Sequence, residues 1–117
     1  MSKPRVLVLV TSDPRTSARP AEAIRIAAGV GTWKKADVEL YLRGPAVLAL
    51  GEFVDDLVDE DNFTRYLPIV GEWGRPVWVQ KDAAELADLG ESPVRHEAID
   101  DAELARRVAS ATSVLRF

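Results

Sequence analysis

Short apolar runs alternate with polar, helix-forming segments along this chain. The first run, Arg5–Thr11, is continuous in β-branched residues and leucine and shows no polar alternation. That pattern is typical of a strand buried on both faces, and therefore of a parallel sheet covered by helices on both sides. Further strands are predicted at Val38–Leu42, at Val77–Val79, within Pro93–Ile99 and at Ser113–Phe117.

Helices are predicted between these strands from proline, glycine and capping signals. Pro20 is typical of the first position of a helix, which would run to Gly29–Gly31, and Ala46–Leu50 is predicted as a short helix. Two capping boxes, Asp82–Glu85 and Asp100–Glu103, predict helices after the third and fourth strands. The last helix is expected to bury Leu104, Ala105, Val108, Ala109 and Thr112.

The first predicted helix is apolar on two sides. One stripe holds Ile24, Ala27, Ala28 and Gly31, and a second holds Ala23, Ile26 and Val30. A helix of this kind has more to bury than one sheet face requires. It is either a deep core helix or one that also meets another subunit.

The middle of the chain, residues 52–74, has a weaker pattern. Residues 52–61 hold six carboxylates, and the apolar positions among them predict a short helix with an acidic outer face. A metal-binding patch is the alternative, but the segment lacks the glycine and the spacing of a calcium loop. Further along, Phe63 and Val70 have helical spacing, although Pro68 is expected to kink or start a helix rather than lie inside one.

Strand and helix therefore alternate five times in 117 residues, a length that fits one domain over 1–117. The order predicts a three-layer α/β/α sandwich with a five-stranded, mostly parallel sheet and right-handed crossovers. In general form this is a flavodoxin-like arrangement.

Composition removes several functions from consideration. The chain has no cysteine, which excludes disulfides, zinc–thiolate sites, iron–sulfur clusters and thiol nucleophiles. A net charge of −4 argues against nonspecific nucleic-acid binding, although residues 1–43 carry net +4 and residues 44–117 carry net −8. The longest early apolar run is too short for a signal peptide or a membrane span. We therefore expect no nucleic-acid or membrane partner and a cytoplasmic location.

The candidate ligand site lies where three predicted strands end. In open parallel sheets, ligands bind outside the carboxyl ends of the strands, where the strand order switches. The helices predicted after those ends offer free backbone N–H groups, and Arg19 is one of several cations nearby. This arrangement predicts a site for a small polar or anionic ligand. The candidate residues are Thr11, Ser12, Asp13, Arg15, Arg43, Gly44, Gln80 and Lys81. The alternative is that Ser12, Asp13 and Asp82 are caps and turn formers and that the cations are solvated.

No catalytic, metal or cofactor motif accompanies this site. Gly29 and Gly31 fall at a helix end rather than between a strand and a helix, so they do not form a dinucleotide-binding loop. His96 is the only histidine and has no motif around it. We therefore predict no catalytic residue, no metal and no cofactor. Trp78 is expected in the core or under a partner, whereas Trp33 and Trp73 are expected either at interfaces or over helix ends.

Five segments carry a resemblance to a known family. They are the strand Val6–Val10, the helical segment Glu22–Ala28, and the stretches Val38–Val47, Gly74–Gln80 and Ser113–Phe117. Together they resemble the DsrE/DsrF-like family of small sulfur-relay proteins over nearly the full chain. The resemblance implies a five-stranded parallel sheet with strand one between strands two and five, and assembly into homo-oligomers or related hetero-oligomers.

The family's active position is altered in this sequence. Members that carry sulfur place a cysteine just after the third strand, at the segment matching Val77–Gln80, where this chain has Gln80 followed by Lys81. A glutamine amide is neither a nucleophile nor an acid or base at pH 7, so no persulfide can form there. We therefore expect a non-catalytic DsrE-like protein, an oligomeric binding or assembly subunit without persulfide transfer.

Two alternatives remain open. One is an enzyme on the same scaffold that uses an anion site with Ser12, Asp13 and Lys81 for hydrolysis or group transfer. The other is a flavin- or nucleotide-binding module of the flavodoxin-like type.

Overall fold

A single parallel sheet organises the chain. The computed structural model describes residues 3–117 and contains the strands β1 (Arg5–Val10), β2 (Asp37–Leu42), β3 (Val77–Gln80), β4 (His96–Ile99) and β5 (Ser113–Arg116). The strand order is β4-β3-β2-β1-β5, and all four pairings are parallel. The predicted α/β class, the five strands and the position of β1 between β2 and β5 are thus confirmed.

Three α-helices and two 3-10 helices connect these strands in the described residues. The α-helices are α1 (Arg19–Thr32), α2 (Glu60–Gly71) and α3 (Asp101–Ser110). The 3-10 helices are Gly44–Leu50, which follows β2, and Ala84–Asp88, which follows β3. No helix within residues 3–117 has the length and apolar character needed to cross a bilayer.

One predicted capping box forms and the other does not. The Asp100 carboxylate accepts a hydrogen bond from the Glu103 backbone N–H at 2.8 Å, which caps α3 as expected. The α-helix start predicted from the Asp82 capping box was wrong. The segment forms a short 3-10 helix that begins after Ala83 and has no side-chain cap. Three residues per turn place Ala83, Leu86 and Leu89 on one side, where all three join the core.

The segment before α2 also differs from its prediction. Residues 52–59 are irregular, and Asp59 adopts a left-handed conformation with φ 55°, so no acidic helix forms before Glu60. The backbone N–H of Val58 instead donates to the Pro14 carbonyl at 2.9 Å and ties this segment to the loop after β1. Phe53 is left 81% exposed.

Pro68 lies inside α2, contrary to expectation. The helix survives because Phe63, Leu67 and Val70 are buried on one face, while the Pro68 ring lies on the exposed face. Burial of these three side chains outweighs the one backbone hydrogen bond that proline cannot make.

The larger of two apolar clusters lies between the sheet and α1, α2 and both 3-10 helices. Here α1 buries Ala23, Ile24, Ala27 and Ala28 and packs on α2 as well as on the sheet. In the second predicted stripe, Ala23 is buried and Val30 packs against this cluster, whereas Ile26 is half-buried and does not join it.

The second cluster is smaller and lies under α3 alone. It holds Leu7, Leu9, Tyr41, Trp78 and Ile99, with side chains of α3 packed against it. No residue of α3 is fully buried: Leu104 and Val108 are half-buried, but Ala105, Ala109 and Thr112, predicted to be core, are exposed. A single helix presents one narrow stripe to the sheet, so its other apolar positions have nothing to pack on.

Candidate functional site

The carboxyl ends of the strands meet at one edge of the sheet through backbone hydrogen bonds. The Arg43 N–H donates to the Val10 carbonyl at 2.9 Å, and the Thr11 N–H donates to the Phe117 carbonyl at 2.9 Å. The Lys81 N–H donates to the Ile99 carbonyl at 3.1 Å. The three loops predicted to form the site therefore start side by side.

Gln80 and Gly44 are joined directly. The Gly44 backbone N–H donates to Oε1 of Gln80 at 2.8 Å, which links the end of β3 to the first 3-10 helix. Gly44 has φ 56°, a left-handed conformation that suits glycine. Because the amide oxygen must face this N–H, Nε2 of Gln80 points its donors elsewhere, and it makes no hydrogen bond within residues 3–117.

Arg43 forms a network that the sequence did not reveal. Its Nη1 donates to the Tyr41 hydroxyl at 3.1 Å and to the Asp101 carboxylate at 2.9 Å. Burial raises the pKa of Tyr41, and the hydrogen bond from Arg43 lowers the pKa of Asp101. Tyr41 was part of an apolar strand pattern and Asp101 part of a capping box, so neither carried a site signal.

Asp13 and Arg15 pair with each other. Oδ1 of Asp13 accepts from the Arg15 backbone N–H at 2.9 Å, and the guanidinium donates to the same carboxylate. This hydrogen bonding lowers the pKa of Asp13. The Asp13 carbonyl also accepts from Ser17 N–H at 2.9 Å, so the residue shapes the turn after β1. Ser12 makes no side-chain hydrogen bond within the described chain.

The candidate residues do not all line one cavity. Thr11 and Arg43 lie in a groove of about 520 Å³ between α3 and the sheet, together with apolar residues of α3 and with Arg116. Lys81 lines a separate shallow depression of about 280 Å³ beside β4. Arg43 has Nε and Nη2 without hydrogen-bond partners among the described residues, so it retains donors for a ligand in the groove.

Another cavity, of about 340 Å³, lies at the opposite edge of the sheet. Its charged residues largely pair among themselves: Arg107 contacts Glu39 at 2.8 Å and Glu103 at 3.2 Å, and Arg75 lies 4.0 Å from Glu39. No group of three potential metal-ligating side chains occurs in residues 3–117. Arg5 lines the same cavity and has no side-chain hydrogen bond or ion pair among the described residues, and Nε of Arg107 is buried without a partner, so unpaired donors occur at both ends of the sheet. The predicted site lies at the end that holds Arg43 and Gln80.

Comparison with known proteins supports the architecture. No family model matches the chain, and no curated protein sequence matches it. Among solved structures, the chain is similar to the YchN protein from E. coli, with a TM-score of 0.77 and 23% sequence identity over 97% of this chain and 99% of that one. The chain thus shares its α/β fold with YchN.

Proposed function

We propose that this protein is a non-catalytic member of the DsrE-like group. It would act as an oligomeric binding or assembly subunit that holds a small polar or anionic ligand and transfers no persulfide. The α/β fold shared with YchN and the resemblance of the five sequence segments support this assignment.

The observation that carries the proposal is the environment of Gln80. In the DsrE-like pattern the sulfur-carrying cysteine stands just after the third strand, and here Gln80 ends β3. Its amide oxygen is engaged by the Gly44 N–H at 2.8 Å, so the side chain links two loops of the site. A residue that holds loops in place and has no nucleophilic atom suits a binding role.

The groove that contains Arg43 indicates the class of ligand. Arg43 retains unpartnered guanidinium donors, and Arg116 lines the same groove as a second cation, whereas Asp101 is the one carboxylate among its lining residues. The remaining lining is largely apolar. This combination favours a small molecule with an anionic or polar end and an apolar body.

Native mass spectrometry of the purified protein tests both parts together. We expect a mass that is a multiple of the chain mass, with any retained small molecule seen as an added mass that is lost on collisional activation. The Arg43→Gln variant should keep the oligomer and lose the added mass. A strictly monomeric protein, confirmed by light scattering at high concentration, would contradict the proposal.

Substitutions at Gln80 test its positioning role. Gln80→Leu leaves the Gly44 N–H without its acceptor, and we expect the free energy of unfolding to fall by about 1 kcal/mol. Gln80→Glu keeps an oxygen at the same reach and is the matched control, expected to retain the hydrogen bond. Amide hydrogen exchange at Gly44 should accelerate in the leucine variant alone. Unchanged exchange in both variants would show that the contact does not hold the loop.

A further inference from the structure

The cavity at the amino ends of the strands carries more charge than its own ion pairs use. It has a volume of about 340 Å³ and lies beside α3 and the starts of β1 and β2, and we call it the amino-end cavity. Its charged lining residues are four arginines and three carboxylates, namely Arg5, Arg75, Arg106, Arg107, Asp37, Glu39 and Glu103. The lining therefore has a net charge of +1.

The ion pairs on the α3 side of this cavity are closed. Arg107 donates to the Glu39 carboxylate at 2.8 Å, and Arg106 donates to the Glu103 carboxylate at 2.6 Å and 2.9 Å. Arg107 is also held by its stacking on the Trp78 ring. These four charged side chains satisfy one another and form a fixed wall of the cavity.

Three ionic side chains of the lining have no close partner among residues 3–117. The Arg5 guanidinium makes no hydrogen bond or ion pair there. Arg75 lies 3.9 Å from Asp37 and 4.0 Å from Glu39, which is beyond hydrogen-bond distance, and its one hydrogen bond, to the Val38 carbonyl, is long at 3.4 Å. The Asp37 carboxylate accepts no hydrogen bond within the same residues.

These three side chains form a row across the sheet. Arg5 and Asp37 are register partners on β1 and β2, and they share the α3 side of the sheet with Leu7 and Tyr41 of the same strands. Arg75 lies two residues before β3, the strand next to β2. Neighbouring strands are about 4.8 Å apart, so the row presents a positive, a negative and a positive group in that order.

The backbone beneath this row is fixed by hydrogen bonds from other parts of the chain. The Arg5 N–H donates to the Thr112 hydroxyl at 3.0 Å, and the Asp37 N–H donates to the Pro4 carbonyl at 2.8 Å. The entropy cost of binding is therefore confined to the ends of the side chains, which favours recognition of a small ligand.

We propose that the amino-end cavity binds a small molecule in which an ammonium group lies between two carboxylates, which is the chemistry of an acidic amino acid. Arg5 and Arg75 each donate to one carboxylate, and Asp37 accepts from the ammonium group. Hydrogen bonds between guanidinium and carboxylate groups are short and strong, and their paired donors select for this geometry. The ligand's net charge of about −1, from the ordinary pKa values of these groups, also neutralises the lining.

This site lies at the end of the sheet opposite to the groove that holds Arg43, and it does not depend on the proposed function. Ligands of parallel sheets usually bind at the carboxyl ends of the strands, where helix N-termini offer free N–H groups. At the amino ends, side chains supply the charge instead. Within the described residues α3 is the one α-helix packed on this face, which leaves room for the cavity beside it.

Isothermal titration calorimetry of the full chain with L-glutamate at low ionic strength tests the inference. We expect a dissociation constant below about 1 mM. Glutarate lacks the ammonium group and L-glutamine lacks the second carboxylate, so each should bind at least about tenfold more weakly than L-glutamate.

Substitutions in the row identify the site. Arg5→Gln should raise the dissociation constant for L-glutamate at least about tenfold, whereas Arg65→Gln removes an equal charge from the exposed side of α2 and should leave it unchanged. Asp37→Asn should abolish the preference for L-glutamate over glutarate, because it removes the charge that pairs with the ammonium group. Circular dichroism verifies that all three variants fold.

Three results would overturn the inference. The first is the absence of binding heat with L-glutamate at about 10 mM, and the second is equal binding of glutarate and L-glutamate to the unaltered protein. The third is an equal effect of Arg5→Gln and Arg65→Gln. Arg43→Gln separates this inference from the proposed function: if it abolishes L-glutamate binding while Arg5→Gln does not, the ligand occupies the groove, so the amino-end cavity is not the site and the proposed function stands.

Discussion

Arg107→Ala is expected to lower the free energy of unfolding by about 2–3 kcal/mol, whereas Arg106→Ala should lower it by less than about 0.5 kcal/mol. The two residues are neighbours on α3, but their surroundings differ. Arg107 stacks on the Trp78 ring with its Cζ 3.8 Å from the ring centre, and its guanidinium contacts Glu39 at 2.8 Å. Arg106 is 68% exposed and pairs with Glu103 within the same helix.

The size of the Arg107 effect follows from what its removal leaves behind. Glu39 projects from the middle of β2 and is 23% exposed, so without Arg107 its charge stands largely desolvated and has Arg75 at 4.0 Å as its remaining cation. Breaking a fully buried ion pair costs about 3–5 kcal/mol, and partial exposure reduces that figure. Loss of the stacking on Trp78 adds about 0.5–1 kcal/mol.

Urea unfolding followed by circular dichroism measures the difference between the two arginine variants. The comparison is made at a concentration where both have the same mass by light scattering, so that a difference in assembly does not add to the measured stability. Arg107→Lys keeps the charge but not the planar stacking, and should fall between the two. Equal, small losses for Arg106→Ala and Arg107→Ala would show that α3 is not anchored through Trp78 and Glu39.

The sheet could be predicted from the sequence because its signal is local. A run such as Arg5–Val10 has no polar alternation, and only a strand covered on both faces buries it. The terminal strand Ser113–Arg116 was also predicted, although it is an exposed edge of the sheet with polar residues at both ends. The capping box at Asp100 is confirmed as well, because it depends only on a local hydrogen bond between Asp100 and Glu103.

The elements that were missed depend on tertiary contacts. Pro68 would end an isolated helix, but α2 is stabilised by burial of Phe63 and Leu67 rather than by its own hydrogen bonds. Likewise, the periodicity of α3 indicates an apolar face but not what covers it. Ala105 and Ala109 were assigned to the core because a helix in a three-layer fold usually has neighbours, and here the described chain supplies none on that side.

The sequence placed the candidate residues at the ends of the strands, where the structure has them, but it did not predict how they are connected. The topology rule for parallel sheets placed Arg43, Gly44 and Gln80 at strand ends, and the structure joins the last two by a hydrogen bond. Arg43 pairs with Asp101, which is 58 residues away, so no local sequence pattern could predict this contact. Such partners depend on how α3 lies over the sheet, which a one-dimensional pattern does not encode.

Two glycines in one helix are expected to respond in opposite ways to the same substitution. Gly29→Ala should raise the free energy of unfolding by up to about 1 kcal/mol, since alanine favours the helix and no atom lies within 4 Å of the new methyl group. Gly31→Ala carries the same helix preference, but its methyl group would lie 2.5 Å from Cζ2 of Trp73. We expect a net loss of about 1–2 kcal/mol from this overpacking.

Trp73 is the residue that makes Gly31 necessary, and a double-mutant cycle isolates that contact. The indole fills the space above α1, and its Nε1 is buried without a hydrogen-bond partner, so the ring has little freedom to move aside. In a Trp73→Leu background, Gly31→Ala should become neutral or stabilising, with a coupling energy of about 1–3 kcal/mol. Circular dichroism is the suitable probe because the variant removes a fluorophore. Parallel stabilisation by both glycine substitutions would mean that α1 and the Trp73 turn are not in close contact, and the packing that joins α1 to the end of α2 would then need a different explanation.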